Sequence, residues 1–218
     1  MDDRQTHYPT AGAKCADLVV HIVGLALALF GGGTLLGLAV GAGGAGLTAS
    51  VVIYALGMAV MLGCSLAYNF GKAPWRPLLR RFDHAGIFLM IAGSYTPFTT
   101  QSLTGGWAIG MTTAVWSLAL LGVAGKLFLP GLGKGFWVAL YLALGWAVLI
   151  ALQPMIEGVS WVSLMLLGIG GLLYSVGVIF YLMKQFRFRR AVWHGHVVAA
   201  AAVQYVAVLL GVVLAGAH

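Results

Sequence analysis

A small group of ionisable and amide side chains lies within segments of this chain that are otherwise almost entirely apolar. A polar group inside an apolar helix bundle costs free energy, so its presence suggests a binding or catalytic role. Each of these residues lies near one end of an apolar segment, and a helical fold could therefore collect them at one depth. They are His21, Ser65, Asn69, Asp83, His84, Arg190, His194 and His196.

The spacing of these residues indicates which of them could share a helix face. Ser65 and Asn69 are four residues apart, as are Arg190 and His194, so each pair lies on one face. His196 is only two residues from His194 and points to a different face. These relations predict one polar cluster from three segments.

A purely structural role is the alternative for part of this cluster. Asp83 could pair with Arg80, Arg81 or Arg190 at the membrane interface, which is a common arrangement for intramembrane charges. His84 and His196 could each bond a backbone carbonyl group in a neighbouring helix. Spacing alone leaves a functional and a structural cluster both open.

The composition identifies the solvent of this chain as lipid. Of its 218 residues, 61% are hydrophobic and only 8% are charged, whereas a soluble domain carries about a quarter charged residues. The 32 glycines suit helices that pack closely in a bilayer. The apolar segments are long and continuous, which excludes the short alternating strands of a membrane β-barrel. We predict an all-α polytopic membrane protein.

Seven segments are long enough to cross a bilayer as helices. Because the loops between them are short, we predict that residues 1–218 form a single seven-helix membrane domain. The polar start, Met1–Asp17, carries two early acids, and the first apolar segment is too long for a cleavable signal peptide. The predicted spans are roughly 16–40, 47–70, 85–103, 106–126, 135–153, 159–183 and 191–215.

All twelve basic residues fall in loops or segment ends that seven alternating spans place on one side of the membrane. The other side holds only Glu157 and His218. The positive-inside rule then predicts that the N-terminus lies in the cytoplasm and the C-terminus outside. Because the basic residues are confined to short loops, we exclude nucleic acid as a partner and expect membrane lipids, and a lipid ligand, instead.

Four segments resemble the hemolysin III family, the bacterial branch of the progestin and adipoQ receptor superfamily. Residues 81–98, RFDHAGIFLMIAGSYTPF, are similar to the signature of the family's third span. Residues 141–146 (YLALGW), 170–177 (GGLLYSVG) and 192–198 (VWHGHVV) are similar to spans five, six and seven, and His21 in DLVVHIVG fits the first span. The resemblance covers nearly the whole chain.

The resemblance implies a seven-helix bundle with a zinc site near the cytoplasmic face. In related members, one histidine of a Ser-x-x-x-His motif and two of a His-x-x-x-His motif bind zinc, and an aspartate holds the metal-bound water. The matching positions here are Ser65, Asp83 and His194. Such a site leaves one zinc position open for chemistry. Some receptor relatives are associated with hydrolysis of ceramide amides.

Two of the three imidazole positions differ from the family pattern. Asn69 and Arg190 stand where the resemblance implies histidines, and Gln204 stands where many members carry another histidine. An amide is a poor zinc ligand, and a guanidinium group has no lone pair to donate. We therefore expect zinc to bind weakly or not at all, and an Asp83–Arg190 ion pair to fill the metal position.

Three functions follow as hypotheses. The favoured one is a metal-free receptor-like or membrane-homeostasis protein with a degenerate metal site. The alternative is a zinc-dependent hydrolase of lipid amides, with Asp83 and Ser65 as catalytic residues and His194 and Asp83 at the metal. The family's historical name suggests a pore, which no polar stripe along any segment supports. In each case His21, Asn69, His84 and Arg190 form a structural polar cluster, and the oligomeric state is open.

The charge distribution generates a topology prediction. Reporter domains fused after residues 75, 130 and 187 should all report a cytoplasmic location, because each position lies within a basic loop. A fusion after residue 157 should report the outside, and a cytoplasmic signal there would contradict the predicted topology.

Overall fold

The computed structural model describes residues 7–129, 131–183 and 185–215, and all of the regular structure within these ranges is helical. Arg4, Lys184 and His218, on which part of the charge argument rests, lie outside the described residues. The helices are α1 (Ala11–Ala42), α2 (Ala45–Phe70), α3 (Arg76–Gln101), α4 (Gly105–Phe128), α5 (Lys134–Gly145), α6 (Leu152–Gly158), α7 (Trp161–Leu182) and α8 (Arg189–Val208). A 3₁₀ turn, Ala147–Ala151, joins α5 to α6, and a π-helical segment, Leu209–Val213, extends α8.

Within the described residues, six helical stretches are long and apolar enough to cross a membrane. They are α1, α2, α4, α7, the combined stretch Lys134–Gly158 and the combined stretch Arg189–Val213. The third predicted span corresponds to α3, which is as long as α2 but begins nine residues earlier than predicted and includes Arg76, Arg80, Arg81 and Asp83. The fold is therefore that of an all-α polytopic membrane protein, with six spans established by length and apolarity.

The predicted fifth span, 135–153, is a broken helix. Its first part ends at Gly145, and the Tyr95 hydroxyl group of α3 donates to the carbonyl oxygens of Leu144 (3.1 Å) and Gly145 (2.9 Å). The same oxygen accepts from the backbone N–H of Val148 at 2.7 Å. One side chain thus satisfies backbone groups that the break would otherwise leave unpaired in an apolar environment.

Glycines let α2 and α3 approach closely. A Cβ atom at Gly57 would lie 3.1 Å from the carbonyl oxygen of Leu89, and one at Gly86 would lie 3.1 Å from Cα of Met61. These neighbours are backbone atoms, which cannot move aside without separating the helices. Small residues at such crossings are typical of helix packing in membranes.

The ends of the helices that carry the described basic residues lie together. The Arg81 guanidinium group at the start of α3 donates to the carbonyl oxygen of Leu127 at the end of α4 (2.9 Å). Lys134 at the start of α5 donates to the carbonyl oxygen of Tyr181 near the end of α7 (3.1 Å). We call this the basic end of the bundle, and the polar cluster lies within it.

Candidate functional site

The centre of the polar cluster is Asp17, a fully buried carboxylate in the second turn of α1. Its Oδ1 atom accepts a 2.6 Å hydrogen bond from Nδ1 of His194 in α8, and its Oδ2 atom accepts a short hydrogen bond from the Tyr8 hydroxyl group. Its backbone carbonyl oxygen accepts from Nδ1 of His21, one turn further along α1, at 2.8 Å. A buried charge is tolerated only when it is paired and hydrogen-bonded, as Asp17 is here.

These hydrogen bonds determine the tautomers of both histidines. A carbonyl oxygen and a carboxylate can only accept, so His21 and His194 each carry their proton on Nδ1. Both Nε2 lone pairs then face the hydroxyl oxygen of Ser65 in α2, at 3.1 Å from His21 and 3.5 Å from His194. The two rings lie 4.3 Å apart between centroids. The arrangement therefore presents two imidazole lone pairs to one point.

Asn69, one turn beyond Ser65 in α2, forms a second polar layer. Its amide nitrogen donates to the Ser65 carbonyl oxygen (3.0 Å), and its Oδ1 atom accepts from Arg190 at 2.8 Å. The His7 ring lies between them, with Nε2 3.1 Å from Asn69 Oδ1 and Nδ1 3.3 Å from Nη2 of Arg190. The guanidinium group also lies 5.4 Å from the centre of the Tyr8 ring.

The predicted Asp83–Arg190 ion pair is not formed. Within the described residues, Arg190 has no carboxylate oxygen within 4.0 Å of its guanidinium nitrogens. The guanidinium group is instead directed to Asn69 and His7. Asp83 instead lies near the Ser65 hydroxyl group and lines the same cavity. The expectation was wrong because helix spacing places residues at one depth without selecting their partners.

The remaining candidates take distinct positions. The backbone carbonyl oxygen of His84 accepts from the Tyr141 hydroxyl group at 2.9 Å. Nδ1 of His196 donates to the Val192 carbonyl oxygen at 2.8 Å, and its ring packs against Phe180, away from the cluster. Gln204 lies deeper in α8, against Gly170 of α7.

One cavity of about 300 Å³ connects these groups. At the basic end, its wall includes polar side chains, and further in it is mostly apolar and aromatic, with Met90, Ile91 and Trp146 among its residues. A cavity that is polar at one end and apolar along its length suits an amphiphilic molecule. The candidate residues in its wall are His21, Ser65, Asn69, Asp83, His84, Arg190, His194 and Gln204.

Asp17, His21 and His194 form a group that could hold a metal ion, since one ligand atom from each lies within 4.8 Å of the others. The donor set fits a zinc-type ion, because imidazole nitrogen and carboxylate oxygen are both zinc ligands. The hydrogen bonds indicate which of these groups could bind the ion and which would support the ligands. Both carboxylate oxygens of Asp17 are engaged, so Asp17 holds the rings while the two Nε2 atoms stay free, as in the carboxylate–histidine pairs of metal sites.

Sequence reasoning missed Asp17, Tyr8 and His7 as site residues. Asp17 falls where the polar start, Met1–Asp17, overlaps the first predicted span, 16–40, and it lies four residues before His21, on the same helix face. That spacing was the available signal. No sequence signal marks Tyr8 and His7, which reach the site only because the segment before α1 folds back over it.

These features define a polytopic helical membrane protein with a histidine–carboxylate site at one end of its bundle. The chain belongs to the hemolysin III family, because the family model described as Haemolysin-III related matches residues 15–205. It is 32% identical to the hemolysin-3 homolog of Bacillus subtilis, over 92% of this chain and 94% of that protein. It is 33% identical to hemolysin-3 of Bacillus cereus, over 74% of this chain and 76% of that protein.

The segment before α1 generates a prediction about pH. Burial, with the charge of Arg190 next to it, lowers the pKa of His7 from 6.5 to about 4, so the folded protein keeps this ring neutral. Between these values the unfolded chain binds the proton and the folded chain does not. Thermal stability should therefore fall as pH falls from about 6.5 to about 4, and His7→Gln should reduce this dependence. An identical pH profile for the variant would contradict the prediction.

Proposed function

We propose that this protein is a metal-dependent membrane hydrolase that acts on the amide or ester bond of an amphiphilic lipid. The observation that carries the proposal is the convergence of the His21 and His194 Nε2 atoms on Ser65 at the polar end of the cavity. The family expectation of a weak metal site rested on Asn69 and Arg190. Asp17 and His21 offer a different set of ligating and supporting groups a few ångströms away.

In this proposal, His21 and His194 would be the imidazole ligands, and Asp83, which lines the same cavity, would act on the water beside them. Asp17 holds both rings in the tautomer that leaves Nε2 free. A zinc ion held by these residues would supply Lewis acidity, which would activate water as a nucleophile and polarise a scissile carbonyl group. Arg190 does not compete for this position because Asn69 and His7 hold its charge one turn away.

Side chains of the protein carry out proton transfer, substrate positioning and the exclusion of water. Asp83 takes a proton from the attacking water and returns it to the leaving amine or alcohol as the C–N or C–O bond breaks. The Ser65 hydroxyl group, which can donate to His21 or Asp83, positions the polar end of the substrate. Apolar residues of the cavity exclude water from the acyl chain.

The proposal includes the topology and location of the protein. Six helices are long and apolar enough to span a membrane, and α3 lies beside α2 with similar length, so we include α3 as the seventh span of one membrane domain. The basic end then faces the cytoplasm of a bacterial inner membrane, with the N-terminus inside and the C-terminus outside. The site would meet lipids of the inner leaflet.

A second candidate function is metal-free hydrolysis by Ser65. The His194 ring connects Ser65 to Asp17. Its Nε2 atom lies 3.5 Å from the Ser65 hydroxyl oxygen, and its Nδ1 atom lies 2.6 Å from Oδ1 of Asp17. This is the order of nucleophile, base and orienting carboxylate found in serine hydrolases, whose first distance is often long before substrate binds. This mechanism agrees with the expectation of a metal-free protein, which was based on Asn69 and Arg190, but it makes the protein an enzyme.

Metal content tests the first proposal. The protein purified without chelator should bind about one zinc per chain, and His194→Ala or His21→Ala should each lose it, because one imidazole cannot hold the ion. His196→Ala is the matched control, since this ring lies on the same helix but bonds Val192 and should leave zinc unchanged. Zinc well below one per chain in the unsubstituted protein, or equal loss in the His196 variant, would contradict the proposal.

Substitution of Ser65 separates the two candidates. Under the metal proposal, Ser65→Ala should keep zinc and lower lipid hydrolysis by about tenfold, as expected for a lost positioning hydrogen bond. Under the serine mechanism, the same change should abolish hydrolysis, and a fluorophosphonate probe should label the unsubstituted protein but not the variant. Labelling at Ser65 together with resistance to chelators would favour the serine mechanism.

A further inference from the structure

The inner part of the cavity contains polar side chains that differ in whether the protein satisfies them. Ser94 donates to the Ile91 carbonyl oxygen, and Ser175 donates to the Gly171 carbonyl oxygen while accepting from the Trp146 indole, all within 3.1 Å. The Tyr95 hydroxyl group bonds the backbone at the α5 break. None of these groups needs a further partner.

Tyr174 and Gln204 are different. The hydroxyl oxygen of Tyr174 is buried without a hydrogen-bond partner, and the Gln204 amide makes no hydrogen bond within the described part of the chain. Both side chains line the cavity. Buried polar groups in proteins are nearly always bonded, so the unpartnered Tyr174 hydroxyl group in a cavity wall points to a ligand. The Gln204 amide is only half-buried and lines the same cavity, where it could bind the same ligand.

The local packing places Gln204 against α7, on the helix face that also carries Tyr174. A Cβ atom at Gly170 would lie 2.8 Å from Cγ of Gln204, so glycine at this position makes room for the glutamine. Tyr174 is four residues beyond Gly170 and lies on the same face of α7. Tyr54 of α2, which is fully buried and interacts electrostatically with Tyr174, carries another unpartnered hydroxyl group.

This inner polar pair is well separated from the site at the basic end. His194 and Gln204 are ten residues apart in the continuous helix α8, which corresponds to about 15 Å. The cavity reaches both residues. An extended alkyl chain advances about 1.25 Å per carbon, given its bond length, so about twelve carbons would span the distance.

We propose that the inner polar pair binds a second polar group of the ligand, so that the preferred ligand is an amphiphile with a hydroxyl or amide group about 15 Å from its head group. Tyr174 and Gln204 together offer both donors and acceptors to such a group. This inference rests on the proposed function only in taking the cavity as the ligand site. Binding at the inner pair requires neither metal nor catalysis.

Competition binding tests the inference. The protein in lipid nanodiscs, loaded with a fluorescent fatty acid, should release it to ω-hydroxydodecanoic acid at about fivefold lower concentration than to dodecanoic acid, for one net hydrogen bond. Because the two acids share the carboxylate and the chain, binding at the basic end contributes equally to both affinities. Tyr174→Phe combined with Gln204→Leu should bind both acids with the affinity of the unsubstituted protein for dodecanoic acid.

Ser94→Ala is the matched control, because Ser94 lines the same cavity but bonds Ile91, and this variant should keep the preference. Tyr174→Phe alone changes one oxygen atom and should lower the preference even if the double variant does not fold. Equal affinity of the unsubstituted protein for both acids, or an undiminished preference in the tyrosine variant, would overturn the inference. Zinc content measured on the same samples reports separately on the proposed function.

Discussion

The buried carboxylate of Asp17 is the constraint on which the site depends. A charge with no exposed surface in an apolar helix is stable only if the fold brings donors to it, and the donors come from separate parts of the chain. Tyr8 comes from the segment before α1 and His194 from α8. Satisfying this one group therefore holds the first and last helices in register and closes the bundle at its basic end.

The polar side chains at the basic end form two layers with different roles. The inner layer, formed by Asp17, His21, His194 and Ser65, keeps two imidazole lone pairs free and accessible from the cavity. The outer layer binds the guanidinium group of Arg190 with neutral acceptors from Asn69 and His7. Because the cation is held there, a divalent ion bound in the inner layer, as we propose, would not lie directly against it. Asn69 and Arg190, which stand where the resemblance implies histidines, are therefore compatible with the proposed metal site.

The sequence predicted the parts of this structure that depend on long apolar segments and on helix periodicity. Six of the seven predicted spans coincide with long apolar helical stretches, and His21, Ser65, Asn69, Asp83 and His194 all line one cavity. Two features could not be predicted. The break after Gly145 depends on a hydroxyl group from another helix, and the partner of Arg190 depends on three-dimensional geometry. Asp17 differs from these, because its position four residues before His21 signals a shared helix face in the sequence itself.

We propose that His21 and His194 are the imidazole ligands of one bound metal ion and that Asp17 holds both rings in place. X-ray absorption at the zinc edge of the purified protein measures the number and distance of these ligands directly. We expect two imidazoles at about 2.0 Å, with oxygen atoms completing the shell, and one imidazole after His21→Ala. A zinc shell without imidazole scattering, or one that His21→Ala leaves unchanged, would contradict this proposal.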